Sequence, residues 1–175
     1  MNRFSVSEAG HVVSLLPPQS VSGGVTSLAF SMANHKHASI IIALGAEASQ
    51  LNGNLQLQLA NAESSPQVAV AIPFNCYFQA AAGAGNDVLG SIQNVPAAGL
   101  ALSSANAPAN GVIVIEIDAN ELESALVGGV LAGSLGVDSY LQVVLPSPAA
   151  VNLAAIIAVL SGARFANVAS PSVTV

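Results

Sequence analysis

Charge is what this sequence has least of. Asp, Glu, Lys and Arg make up 7% of its 175 residues, against about 25% in ordinary soluble domains, so little of a folded surface can be charged. Cations are scarcer still. Arg3, Lys36 and Arg164 are the only Lys and Arg residues, and nine Asp and Glu bring the formal net charge to −6. That count excludes a nucleic-acid partner, because neutralising a phosphate backbone takes a cluster of Lys and Arg. Cysteine is nearly absent too. Cys76 stands alone, which rules out an intramolecular disulfide, and without a CxxC or Cys/His cluster no structural zinc site is expected. A buried apolar thiol is the expectation for Cys76.

Catalytic signatures are missing as well. There is no Walker loop, no GxSxG and no HExxH. Gly83, Gly85 and Gly90 stand in AAGAGNDVLGS, which lacks the GxGxxG spacing and any strand-to-helix pattern, so it reads as a flexible surface loop. No catalytic residue, no cofactor and no small-molecule substrate are expected. Met1 to Gly10 is polar, with no apolar core of signal-peptide length after Arg3, so synthesis in a cytoplasm without a cleaved leader is expected.

Ser139 to Ala163 runs 25 residues without a charge, long enough to span a bilayer. Pro146 and Pro148 split it, however, and Gln142 and Asn152 interrupt it. Such breaks leave backbone groups unsatisfied in lipid. Equally uncharged stretches, Ser64 to Asn86 and Val88 to Ile115, are rich in Gly, Pro, Asn and Ser. Low charge is therefore a property of the whole chain, and no membrane partner is expected.

What is present is 53% hydrophobic residues, arranged mostly with the period of strands. In Asn54 to Ala60 (NLQLQLA), leucines alternate with amides, which places Leu55, Leu57 and Leu59 on one face. Ala38 to Leu44 (ASIIIAL) is continuously apolar and reads as a strand buried on both faces. Gln67 to Ile72, Gly111 to Asp118 and Tyr140 to Leu145 are further strands, the last stopped by Pro146-Ser147-Pro148. Val151 to Ala166 suits either a helix or a strand and is read as a strand, with Gly162 and Phe165 near a bend or bulge at its end. One helical turn is expected from Asn120 to Leu126, with Asn120 as cap and Glu123 at the third helical position.

These strands, with turn signals every 10 to 20 residues, predict an all-β, single-domain antiparallel β-sandwich or jelly-roll. Residues 25–175 form the sandwich in this reading, and residues 1–24 an extended N-terminal arm. Pro17-Pro18 leaves no room for a paired strand across it, and Ser22-Gly23-Gly24 supplies a joint. Val12, Val13, Leu15 and Leu16 give the arm an apolar patch, read as its contact with a neighbouring subunit.

Two clusters invite a chemical reading. His35 and His37, at i and i+2 on a strand, project to one face and could share a metal, with His11 or an acidic residue as a third ligand in space. Glu116, Asp118, Glu121 and Glu123 fall within eight positions, as paired carboxylates or calcium ligands would. Polar residues at a strand start, and a solvated strand end with its helical turn, are the preferred readings of the two. No metal site is expected, and ion binding by either cluster is left open.

FSMANHKHASIIIALG (Phe30 to Gly45), IEIDANEL (Ile115 to Leu122) and SYLQVVLPSPAAVNLAAIIAVLSGARFANVASPS (Ser139 to Ser172) resemble small structural proteins encoded in the morphogenesis regions of tailed bacteriophages. The resemblance covers roughly two thirds of the chain and transfers no functional residue. It implies a non-enzymatic virion protein made in the host bacterial cytoplasm, with itself and the major capsid protein as partners. A head decoration or cement protein is the preferred role, and a tail, neck or baseplate component the alternative. A carbohydrate-binding β-sandwich module is the reading from another class. Zero Trp and two Tyr weigh against it, since sugar faces stack on aromatic platforms.

Overall fold

The computed structural model describes residues 10–46, 52–62, 69–79, 88–103, 107, 109–122, 140–147 and 153–163. Antiparallel strands in two sheets account for nearly all of its regular structure, which makes the fold an all-β sandwich. The first sheet runs in the order β1 (Gly10–Ser20), β12 (Leu153–Ala163), β4 (His35–Leu44), β10 (Val112–Asp118), β7 (Phe74–Gln79), β8 (Gln93–Val95). The second runs β2 (Val25–Thr26), β11 (Tyr140–Leu145), β5 (Gly53–Ala60), β6 (Ala69–Ile72), with β3 (Phe30–Ser31) also on β11 and β9 (Leu100–Leu102) also on β5.

Alternation of side chains, the period of two inherent in a strand, builds the core. Ala38, Ile40, Ile42 and Leu44 of β4 meet Ile113, Ile115 and Ile117 of β10 and Ala154, Ile156, Ala158 and Leu160 of β12 on the inner face of the first sheet. Leu55, Leu57 and Leu59 of β5 with Leu141, Val143 and Leu145 of β11 supply the second sheet's share, and all of these belong to one cluster. Val151 to Ala166 resolves as strand over Leu153–Ala163, its alanines and larger residues alternating inward. The 139–163 run thus contains two strands, and among the described residues no helix is long and apolar enough to cross a membrane.

Gly10–Ser20 is a paired strand, which corrects the expectation of a free arm. It pairs with β12 from Gly10↔Ser161 to Ser20↔Leu153, with register shifts between Ser14 and Leu16 and between Leu16 and Gln19. The first shift is a bulge that turns both Leu15 and Leu16 inward. The second absorbs Pro17-Pro18, whose missing N–H groups are tolerated on an outer strand at an irregularity. The bulge has a further consequence: the Leu15 carbonyl accepts a 2.9 Å bond from the Leu28 N–H, tying β1 to the chain between β2 and β3. Val13, Leu15 and Leu16 are buried in this chain's own core, and of the expected contact residues only Val12, 52% exposed, faces outward.

Ser27 shows how β2 and β3 share one neighbour. Its N–H donates to the Val143 carbonyl at 2.8 Å, and its Oγ accepts from the Val143 N–H at 3.0 Å, so the hydroxyl replaces a ladder bond where the chain leaves strand geometry. Gly99 closes the turn between β8 and β9 with its N–H on the Pro96 carbonyl at 2.8 Å. Its φ of +92° and the Leu55 carbonyl oxygen, 2.7 Å from where a Cβ would stand, admit only glycine.

Cys76 lies on β7 opposite Ile115, fully buried, and burial pushes its thiol up to about 11. Thiolate is the reactive form. A thiol reagent at pH 8 is expected to leave the folded chain unlabelled and to take up one equivalent in denaturant, measured by mass spectrometry.

Candidate functional site

The two outer faces of the sandwich differ in kind. On the second sheet, outward amides satisfy one another. Gln142 Nε2 donates to Gln58 Oε1 at 3.0 Å, and Gln58 Nε2 to Gln56 Oε1 at 3.0 Å. Gln56 Nε2 reaches the Ala98 carbonyl at 3.4 Å, where Asn54 Nδ2 also donates at 2.8 Å. These amides form a polar relay that shares the face with Tyr140, Val144 and Ala71.

On the first sheet the outward residues are mostly apolar. Register places Ser14, Ile157, Ile41, Val114 and Tyr77 in one row across five strands, and Ala155, Ala43, Val112 and Gln79 in the next. Val12 and Val159 begin a third row that continues into Ser39, Glu116 and Asn75. Val12, Leu153 and Ile157 are the large exposed side chains, while Ile41, Val112, Val114 and Val159 are half-buried among their neighbours. The isoleucine run of β4 therefore corrects one expectation. Among the described residues it is fully buried on its inner face only, with Ile41 half-buried and Ala43 exposed on the other.

The polar end of this face joins the two clusters that the sequence shows separately. Antiparallel pairing sets His37 opposite Asp118 and Ser39 opposite Glu116. His37 Nδ1 lies 2.8 Å from Asp118 Oδ1 and Nε2 lies 2.6 Å from Glu116 Oε2. Ser39 Oγ donates to the same Glu116 oxygen at 2.7 Å. Ionised carboxylates only accept hydrogen bonds, so both ring nitrogens must carry protons and His37 is held as an imidazolium. Partial burial pulls its pKa down, but the hydrogen bonds to Asp118 and Glu116 and the charges of both carboxylates raise it on balance above the ordinary value.

Ser39, His37 and Asp118 stand in the order hydroxyl, imidazole, carboxylate, and Ser39 Oγ is 3.3 Å from His37 Nε2. Acyl-transfer triads share that order, but there the imidazole accepts the hydroxyl proton. Here the Ser39 proton goes to Glu116, and the same carboxylate occupies Nε2. The backbone N–H groups around it belong to the sheet ladders rather than to an oxyanion hole. The group is an ion cluster on a sheet face.

His35 takes no part in it. Its ring stacks on that of His11, centroids 6.1 Å apart and 7° from parallel, and both its ring nitrogens are buried without a hydrogen-bond partner among the described residues. Burial, then the charge of His11, lowers its pKa, so the neutral ring is favoured. His35 and His37 do not come together, although His11 does approach His35.

The acidic group also divides. Glu116 and Asp118 face His37, whereas the Glu121 carboxylate accepts a 3.1 Å bond from the Asp118 N–H. That is half of a capping box, with Asp118 as cap and Glu121 at the third position of the helical turn over residues 119–122, two residues earlier than expected. Glu123, Phe165, Gly83 and Gly85 lie outside the described residues. Among the described residues no group of three or more His, Cys, Asp or Glu is arranged to hold a metal ion. The joined cluster was open to sequence reasoning only through the β4–β10 register, which alternate-residue matching of HASIIIA against VIVIEID suggests. No protein-family model, curated protein or solved structure matches the chain.

Proposed function

We propose that this chain is a non-enzymatic structural protein that assembles by burying the outer face of its first sheet against a second copy of itself. The observation that carries the reading is a mismatch between sequence and cover. Ile40-Ile41-Ile42, Val112-Ile113-Val114-Ile115 and Ile156-Ile157 are continuous apolar runs, the pattern of strands buried on both faces, yet among the described residues only their inner side chains are fully buried, with Ile41, Val112 and Val114 half-buried and Ile157 40% exposed on the outer face. A second layer supplies the missing cover, as facing sheets do at about 10 Å separation.

Area supports a second copy as that layer. Five strands about 4.8 Å apart and about 30 Å long present about 700 Å² per copy, so a self-packed pair buries about 1,400 Å², the size of a stable specific interface. Self-packing by a two-fold needs one patch that complements itself, and the two adjoining rows from Ser14 to Tyr77 and from Ala155 to Gln79, mostly Val, Ile and Ala and without a charge, meet that condition. Growth by strand addition at β1 is opposed by Pro17-Pro18 on that edge.

The setting we propose is a tailed-phage head, where the chain acts as a decoration or cement protein alongside the major capsid protein. Its support is the resemblance of residues 30–45, 115–122 and 139–172. Gold-labelled antibody against the chain, applied to phage particles from producing cells, is expected to mark the shell. Label on the tail or neck moves the role there, and unlabelled particles overturn the virion reading.

A further inference from the structure

We propose that the His37 imidazolium, clasped between Glu116 and Asp118, makes packing of the first sheet's outer face pH-dependent, tight while the ring is doubly protonated and weak once one proton is lost. The inference rests on the assembly reading above and concerns how that surface is regulated.

Position is the first argument. Glu116 and Ser39 continue the row that begins with Val12 and Val159, so the cluster borders the apolar patch on the same face. His37 and Glu116 side chains are each 34% exposed and Asp118 63%. A layer laid over Val159 and Ile157 therefore covers or crowds the carboxylates beside them. Covering ions is costly unless they are paired and hydrogen-bonded.

Charge is the second. With the imidazolium present, two carboxylates and one cation leave one net negative charge, and both ring nitrogens donate. When the ring releases one proton to water, the net charge becomes two negative and one carboxylate loses its donor. The groups around it do not restore the balance. From β10's end, Glu121 adds another carboxylate on the Asp118 N–H. From β12, Ser161 pairs opposite His37 and brings no charge. On β4 itself, Ser39 is already donated to Glu116, and His35 is favoured neutral beside His11. Lys36 is the nearest cation in sequence, but its side chain lies against Gly162, the alternate position on the strand.

The sign follows from linkage. A histidine whose pKa is raised by its partners contributes fully below its ordinary value of 6.5 and ceases to contribute as pH rises through the raised value. Docking that desolvates the pair favours the paired, protonated state, so association takes up protons over that window.

Sedimentation equilibrium of the full chain at pH 6 and pH 9 tests this, with His37→Gln, Asp118→Asn and Ile157→Lys beside it. The association constant of the unaltered chain is expected to fall about tenfold or more from pH 6 to pH 9, the equivalent of one pKa unit. His37→Gln is expected to be flat across that range. An unaltered chain that associates equally at both pH values, or a His37→Gln chain with the same slope, overturns the proposal. If His37→Gln does not fold, Asp118→Asn decides, since Asn caps a helix as well as Asp: a reduced slope supports the clasp and an unchanged slope overturns it. Ile157→Lys separates the two readings, because a chain that still associates normally with that change refutes face packing itself, whatever the pH dependence.

Discussion

A chain shortened to begin at Val21 is expected to lose its cooperative unfolding transition. β1 supplies Val13, Leu15 and Leu16 to the core, with Leu15 fully buried, and each such side chain contributes about 1.5–3 kcal/mol when removed from water. Together they are comparable with the whole stability of a typical domain, about 5–15 kcal/mol. The ladder from Gly10↔Ser161 to Ser20↔Leu153 goes with them, as does the Leu28 N–H bond to the Leu15 carbonyl. β12, now flanked by β1 and β4, becomes an exposed edge rich in Ile, Val and Leu. Leu15→Ala is the milder form of the same test and is expected to cost about 2–5 kcal/mol by urea denaturation followed by circular dichroism. A truncated chain with an unchanged midpoint and slope would return residues 10–20 to the status of a free arm.

The opposite pattern is expected at Ile157. This side chain is 40% exposed near the middle of the outward rows, so Ile157→Lys changes folding stability by no more than about 1 kcal/mol. A lysine there places an unpaired cation between two apolar layers. Removing it from water without a partner costs several kcal/mol, so association is expected to weaken by about a hundredfold or more, each factor of ten being about 1.4 kcal/mol. Val12 offers a second site for the same test, being 52% exposed at the start of the neighbouring row. The contrast between Leu15 and Ile157 tests the proposed division between an inner layer that holds the fold and an outer one that holds the assembly.

Much of the inner layer was readable from residue order, because a strand's period of two leaves a direct mark. Leu55, Leu57 and Leu59 are buried as their alternation with Gln56 and Gln58 requires. The buried Cys76 and the strands at Val112–Asp118 and Tyr140–Leu145 follow from similar local patterns. The failures have a common cause in non-local pairing. Pro17-Pro18 argues against a strand when considered alone, but a register shift against β12 accommodates it. Ile40-Ile41-Ile42 reads as doubly buried because a continuous apolar run carries no mark of which face the rest of the chain covers, and Ile41 is half-buried on the outer face. His37 and the carboxylates of Glu116 and Asp118 are about eighty residues apart, and only the β4–β10 register unites them. The helical turn begins two residues early because Glu121 reaches back to the strand end at Asp118.

The central claim, that the outward rows of the first sheet are an interface between copies, is tested most directly by sedimentation equilibrium of the unaltered and Ile157→Lys chains over micromolar concentrations at pH 6. The unaltered chain is expected to show a mass rising with concentration to multiples of 17.3 kDa, and Ile157→Lys to remain at 17.3 kDa while unfolding as the unaltered chain does. An unaltered chain that stays at 17.3 kDa throughout, or two chains with the same association curve, would contradict it.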